Sequence, residues 1–234
     1  MNLNNGIEGG VNELKSPKII ISDEIRKVAP NLVIGAIYAD VIVEKRNEEL
    51  WLRLNELGDN IKIRVEEIVE QPNIVSIRET YLKCGKKPAK YRGSAEALLR
   101  RVAQGKGLYQ INTVVDINNY LSLNTLVPAG SYDLTNIDGD ITIGIGKTGE
   151  SYKGIGKDII NIENLPVFSD NKGPFGSPTS DSERAMITGN TKRMLIMLIS
   201  FGGNLDGNLR KYLEEGSELI STYASGKNIE IKQY

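Results

Sequence analysis

The sequence predicts an α+β fold. Helical patterns occupy both ends of the chain, a run of short strand-like segments lies between them, and no internal repeat or low-complexity tract interrupts the order. The 234 residues, 40% hydrophobic and 25% charged, are enough to bury a sizeable core. The expected organisation is a flexible arm over residues 1–17, polar and rich in Gly and Asn, followed by a single α+β domain over 18–234.

The elements follow in order. "PKIII" reads as a short strand, and "SDEIRKV" as a helix capped by Ser22 and stopped by Pro30. "NLVIGAIYADVIV", rich in β-branched residues, reads as a buried strand. From Asn47, Leu50, Leu54 and Leu57 recur at helical spacing, with Gly58 expected just past the helix end. "IKIRVEEIVEQ" fits both periods, and helix is preferred. "NIVSIRETYLKCG" predicts another helix. Later, "GDITIGIG", "ESYKGI", "DIINI", "LPVFSD" and "KRMLIMLIS" are strand-like runs parted by turn residues. Leu205, Leu209, Tyr212, Leu219 and Tyr223 share one face of a closing helix ending near Gly226, and "NIEIKQ" reads as a last strand.

Composition excludes several chemistries. The chain has no histidine and one cysteine, Cys84. Ser-His-Asp triads, imidazole acid-base catalysis, the usual zinc sites and internal disulfides are ruled out, so no metal or cofactor is expected. The longest membrane-like run is interrupted by Asp40 and is too short to span a bilayer. A cytoplasmic location without membrane contact is expected. With a net charge of −1, any nucleic-acid contact must come from a local patch. One exists: between Tyr81 and Lys106 lie Lys83, Lys86, Lys87, Lys90, Arg92, Arg100, Arg101 and Lys106 against a single acid, Glu96. Such a run is either a solvated face or an RNA surface.

Gly144, Gly146 and Gly149 spell G-x-G-x-x-G. A dinucleotide loop needs a helix directly after the glycines, whose N-terminus binds the pyrophosphate. Here "ESYKGIGKD" alternates and carries two more glycines, so "KTGES" reads as a hairpin turn and no nucleotide loop is expected.

The stretch from Asn112 through Val114, Val115, Asp116, Asn119 and Tyr120 to Pro128, Tyr132 and Asp133 resembles the editing domain of the phenylalanyl-tRNA synthetase beta subunit. That family's pattern is N-x-V-V-D-x-x-N-Y followed by P-x-H-A-F-D. Upstream, "YRGSAEALLRR" is similar to its lead-in strand and helix. Downstream, the strand ending in Asp170 and a terminal Thr-x-x-hydrophobic strand keep the same order. The resemblance covers about residues 88–200. It implies a three-layer β/β/α fold and a free-standing relative of that editing domain, related to a tRNA ligase subunit without its aminoacylation core.

The resemblance also implies a pocket. Asn119 matches the family's asparagine and is expected to take part in catalysis, with its neighbour Asn118 binding substrate. Gly130 falls where the family has histidine. Glu183 matches a glutamate that helps recognise the phenolic hydroxyl of misattached tyrosine, while Asp181 and Ser182 replace two glycines before it. Ester hydrolysis without imidazole needs a positioned water and a carboxylate, for which Asp181 or Glu183 serve as candidate bases. Thr179, Ser180 and Ser182 are candidate substrate contacts. Lys86, Lys87, Lys90 and Arg92 are candidate RNA contacts.

Each residue also has a plainer structural explanation. Ser180 and Glu183 stand three apart before an apolar pair, the pattern of a capping box. The five polar residues over 179–183 exceed what one cap requires, which tilts the reading towards a site. Asp116 reads as a helix brace and Asp133 as a turn residue. Tyr109 and Tyr120 read as core-edge tyrosines rather than stacking platforms. The leading expectation is therefore an editing-like domain that binds tRNA or aminoacyl-tRNA and hydrolyses mischarged esters in trans. The alternatives are a non-catalytic RNA- or amino-acid-binding module and a structural partner protein.

Overall fold

Two long strands with apolar side chains on both faces organise the molecule. The computed structural model describes residues 16–203, 205 and 207–234. In it β2 (Val33–Asp40) and β9 (Arg193–Ser200) pair antiparallel over their whole length. Because strand side chains alternate, Ile34, Ala36, Tyr38, Leu195, Met197 and Ile199 enter one core. Ile37, Ala39, Met194, Ile196 and Leu198 enter another. A strand buried on both faces must be covered on both, which is what the near-continuous apolar runs encode.

One cover is a second sheet. β2 and β9 lie centrally in a sheet of order β10-β2-β9-β3, where β3 is Ala129–Asp133 and β10 is Lys227–Gln233. Facing it is a sheet of order β1-β4-β7-β8, built from Ile19–Ile21, Ile141–Ile145, Pro166–Asp170 and Gly173–Gly176. β1 joins parallel to β4, and the other pairs are antiparallel. Ile141, Ile143, Val167, Phe168 and Phe175 fill the space between the sheets with Tyr132.

The other cover is helical. α2 (Glu48–Asn60), α5 (Thr113–Thr125) and α6 (Leu209–Tyr223) bring Leu50, Leu54, Val114, Ile117, Leu121, Leu209 and Leu213 onto the second face. The layering is thus β/β/α, as the resemblance implies. α1 (Asp23–Val28), α3 (Pro72–Lys83) and α4 (Ser94–Ala103) are the other α-helices among the described residues, and Ile77 and Tyr81 of α3 reach the inter-sheet core. β5 (Ser151–Lys153) and β6 (Ile159–Asn161) form a separate two-stranded ribbon.

Several local expectations hold. Ser22 caps α1 through the Ile25 N–H, and Asn47 caps α2 through the Leu50 N–H. Others are corrected. Gly58 lies inside α2, which runs on to Asn60 and is closed by Ile61. Of the ambiguous "IKIRVEEIVEQ", only Val65–Glu70 is helical, as a 3₁₀ segment whose start is fixed by the Arg64 N–H donating to Glu67. No strand leads into α4, because the Ser94 N–H is taken by the Pro178 carbonyl and Gly93 is wedged against Ile77 and Pro128. The closing helix stops at Tyr223, and Leu205 lies before it.

The glycine turn is a turn but not a hairpin. The Glu150 N–H closes it onto the Lys147 carbonyl, and Gly149 takes a φ of +75°. The flanking strands part company, since β4 pairs with β7 and β5 with β6. A strand, rather than the helix a pyrophosphate would need, follows the glycines. Most of the expected arm, residues 1–15, lies outside the described residues. Ser16 is buried, and the Pro17 carbonyl accepts the Tyr38 hydroxyl at 2.8 Å.

Candidate functional site

After β8 the chain folds back through residues 177–183 and is pinned on every side. The Ser177 hydroxyl accepts the N–H groups of Thr179 and Ser180 and donates to the Ser180 carbonyl. The Pro178 carbonyl accepts from Ser94 at the start of α4, and the Asp181 carbonyl accepts from Ile155. The Ser182 N–H returns to Phe175. Ser94 of α4, Ile155 beyond β5 and Phe175 of β8 therefore fix one short loop.

Its side chains converge on a carboxylate. Asp181 is half-buried, and its Oδ1 accepts the Tyr132 hydroxyl at 2.8 Å and, weakly, the Ser177 N–H at 3.4 Å. Its Oδ2 has no hydrogen-bond partner among the described residues. Desolvation pushes the carboxyl up to about 7, against the opposing pull of Tyr132, the Ser177 N–H and the Lys157 charge. Thr179 shares a 2.6 Å hydrogen bond with Tyr81, and Ser180 Oγ accepts from Lys157 Nζ at 2.9 Å. Burial raises the Tyr81, Tyr132 and Tyr152 hydroxyls above the ordinary phenol range, so all three stay protonated.

Tyr132 reaches Asp181 because two glycines make room. A Cβ on Gly130 would fall 2.8 Å from the Tyr132 Cζ, and one on Gly176 would fall 2.7 Å from its hydroxyl. The tyrosine therefore fills the space beside the position where the family carries histidine. Sequence reasoning missed Tyr132 as a site residue. The available signal was a paired departure from P-x-H-A-F-D, a side chain lost at 130 and a hydroxyl gained at 132.

The remaining predicted residues divide. Ser182, not Ser180, caps the short helix Glu183–Ala185 through the Arg184 N–H, so the proposed capping box is absent. Glu183 instead pairs with Lys153 at 3.0 Å. Asn118 and Asn119 lie on α5, on the helical side of the sheet that carries β3, while Tyr132 meets Asp181 on the other side. Among the described residues no hydrogen bond joins either asparagine to 177–183, and the buried Asn118 Oδ1 has no partner. Asp116 braces the helix start, as expected, with Oδ1 accepting the Ile111 N–H; burial raises it to about 6. Asp133 accepts from Thr135 and Thr191. Tyr120 donates to Glu215, and the exposed Tyr109 carries the Arg101 guanidinium 3.9 Å over its ring.

The basic run extends from before α4 to just beyond its end. Lys86 and Lys90 lie over the Tyr91 ring at 4.8 and 5.6 Å, and Lys87 and Arg92 are exposed. A groove of about 550 Å³ lies elsewhere, between the ends of α2 and α5 and the side of α4; Leu57, Leu99, Leu123 and Leu126 line it. Among the described residues no helix is long and apolar enough to cross a membrane, and no group of three or more His, Cys, Asp or Glu could hold a metal ion.

The B3/4 domain family model matches residues 76–215, well over half of the chain. The chain belongs to the B3/4 domain family. The match is wider than the resemblance over 88–200, starting inside α3 and ending inside α6. The phenylalanine–tRNA ligase beta subunit of Chromobacterium violaceum is 42% identical over 55 residues, which are 24% of this chain and only 7% of that protein. A solved N-terminal fragment of the phenylalanyl-tRNA synthetase beta subunit from Pyrococcus horikoshii aligns over 93% of this chain and 50% of its own, with 13% identity and a TM-score of 0.49. Both the Asp181 cluster and the basic run fall inside the matched B3/4 segment.

Proposed function

We propose that this B3/4 domain binds aminoacylated tRNA and hydrolyses the aminoacyl ester in trans, with Asp181 as general base. The observation that carries the reading is the Asp181 carboxyl, held on one oxygen by Tyr132, open on the other, and raised to about 7. A base with that affinity for protons is half ionised near neutrality, where proton transfer is most effective. Glu183 is the weaker candidate, because Lys153 already pairs with it.

In this reading the free Asp181 oxygen takes a proton from a water that attacks the ester carbonyl. The bond to the ribose oxygen breaks, and the proton passes to that oxygen as it leaves. An ester needs less assistance than an amide, so positioning and one base suffice without imidazole. Thr179 and Ser180 contact the amino-acid portion, Ser182 holds the loop, and Glu183 offers a hydroxyl acceptor. Asn118 and Asn119 enter through the family resemblance alone, because α5 lies across the sheet from Asp181. Lys86, Lys87, Lys90 and Arg92 hold the RNA, and the protein works in the cytoplasm as one unit over 18–234. Aminoacylation itself is not proposed.

Gly130 favours a second reading, a binding module that has lost turnover. A panel of mischarged tRNAs separates the two. Release of amino acid is expected, rising with pH to a plateau above about 7 and falling roughly 10²-fold or more in Asp181→Asn. Asn119→Ala and Glu183→Ala test the lesser assignments. Binding without release on any tRNA selects the non-catalytic module.

A further inference from the structure

Glu96 is 1% exposed, on the first turn of α4, and three arginines gather on it. Arg78 Nη1 donates to both carboxylate oxygens at 3.1 and 3.0 Å, Arg100 Nε donates at 2.9 Å, and Arg92 Nε stands 3.8 Å away. One buried negative charge thus faces three positive ones. The guanidiniums are not spent on it: Arg78, Arg92 and Arg100 remain 26%, 48% and 22% exposed, and each keeps N–H groups that bond nothing among the described residues. A carboxylate that fixes several guanidinium planes while leaving a surplus of charge presents rigid forks, the geometry that matches phosphate oxygens.

The cluster is also tied to the Asp181 loop from both helices. Arg78 sits three residues, about one helical turn, before Tyr81, whose hydroxyl holds Thr179. Ser94, two residues before Glu96, donates its N–H to Pro178. We propose that Arg78, Arg92 and Arg100, set by Glu96, form the phosphate-binding element for the RNA strand whose esterified end reaches Asp181. This rests on the RNA reading above and adds Arg78, Arg100 and Glu96 to it. Glu96 is a positioning residue, since it touches the arginines and not the RNA.

The test is binding of deacylated tRNA, followed by fluorescence anisotropy across a salt series, with thermal unfolding as the check on folding. Arg92→Gln and Arg100→Gln should each weaken binding several-fold and lower the slope of log affinity against log salt by roughly 0.7–0.9 for each phosphate no longer neutralised. Arg78→Gln alone strips Glu96 of the one guanidinium that donates to both its oxygens, so Arg78→Gln is paired with Glu96→Gln, and the same drop in slope is expected. A purely structural network would move the melting temperature and leave the salt slope alone. If all three variants keep the wild-type slope while Lys86→Gln, Lys87→Gln and Lys90→Gln lower it, this element is wrong and the RNA reading stands. Wild-type protein that binds no tRNA overturns both.

Discussion

A buried phenol needs room as well as a partner, and at Tyr132 the room is supplied by Gly130 and Gly176. The ring cannot simply swing aside, because Phe168 and Phe175 meet it edge-on at centroid distances of 6.2 and 5.0 Å. Any side chain at 130 must therefore push the hydroxyl off Asp181 or strain the inter-sheet core. Gly130→Ala should lower unfolding free energy by about 1–3 kcal/mol, the usual cost of overpacking a tight interior, as read by denaturant melts. Wild-type stability in that variant would show that the ring yields, and the glycine would then have no packing role. The same reasoning says that a histidine placed at Gly130 would also collide with the Tyr132 ring.

At the scale of elements, α6 settles on the sheet through Gly216. A Cβ there would lie 2.6 Å from Ile37 Cδ1 on β2 and 3.0 Å from Leu121 Cδ1 on α5, so three elements share that point. Gly216→Val should separate them and cost about 1–3 kcal/mol, checked by thermal unfolding; an unchanged melting temperature would refute the close approach. How much of this was legible depends on where the signal lay. α2 and α6 could be read because each buries one stripe, and Asn47 and Ser22 announce the starts of α2 and α1. α5 gave no stripe to read, since Val114, Ile117, Leu121 and Leu123 and its buried Asn118 and Ser122 face protein nearly all round. β3 and β8 went unread because glycine, proline and small residues have little strand preference, and only pairing with β9 and β7 makes them strands. The candidate site divides likewise: the polar run over 179–183 was visible, but what singles out Asp181 is a tyrosine 49 residues away.

At the scale of the whole molecule, the absence of histidine makes the pH dependence of stability unusually readable. Between pH 5 and 8 an ordinary protein mixes imidazole titration with everything else. Here the described carboxyls raised by burial, Asp116 to about 6 and Asp181 to about 7, are the ones that titrate inside or at the edge of that window. Unfolded, both would release their protons near 4. The folded state thus holds protons that the unfolded state has lost, and the stability they contribute is full below about pH 4 and disappears as pH rises through 6 and 7. Asp170 acts in the opposite sense. Burial raises it, but the Arg184 fork and the N–H groups of Asp138 and Lys172 hold it below the ordinary value, so its contribution is lost only in stronger acid. Unfolding free energy should therefore decline from about pH 5 to pH 8, by about 1–3 kcal/mol once solvent screening of the half-buried Asp181 is allowed for. Asp181→Asn should flatten most of that decline, leaving the variant more stable than wild type at pH 8. Urea melts at both ends of the range decide it: a wild-type curve that rises towards pH 8, or a variant curve running parallel to it, would mean that Asp181 is ionised at ordinary acidity and cannot be the near-neutral base that the proposed ester hydrolysis requires.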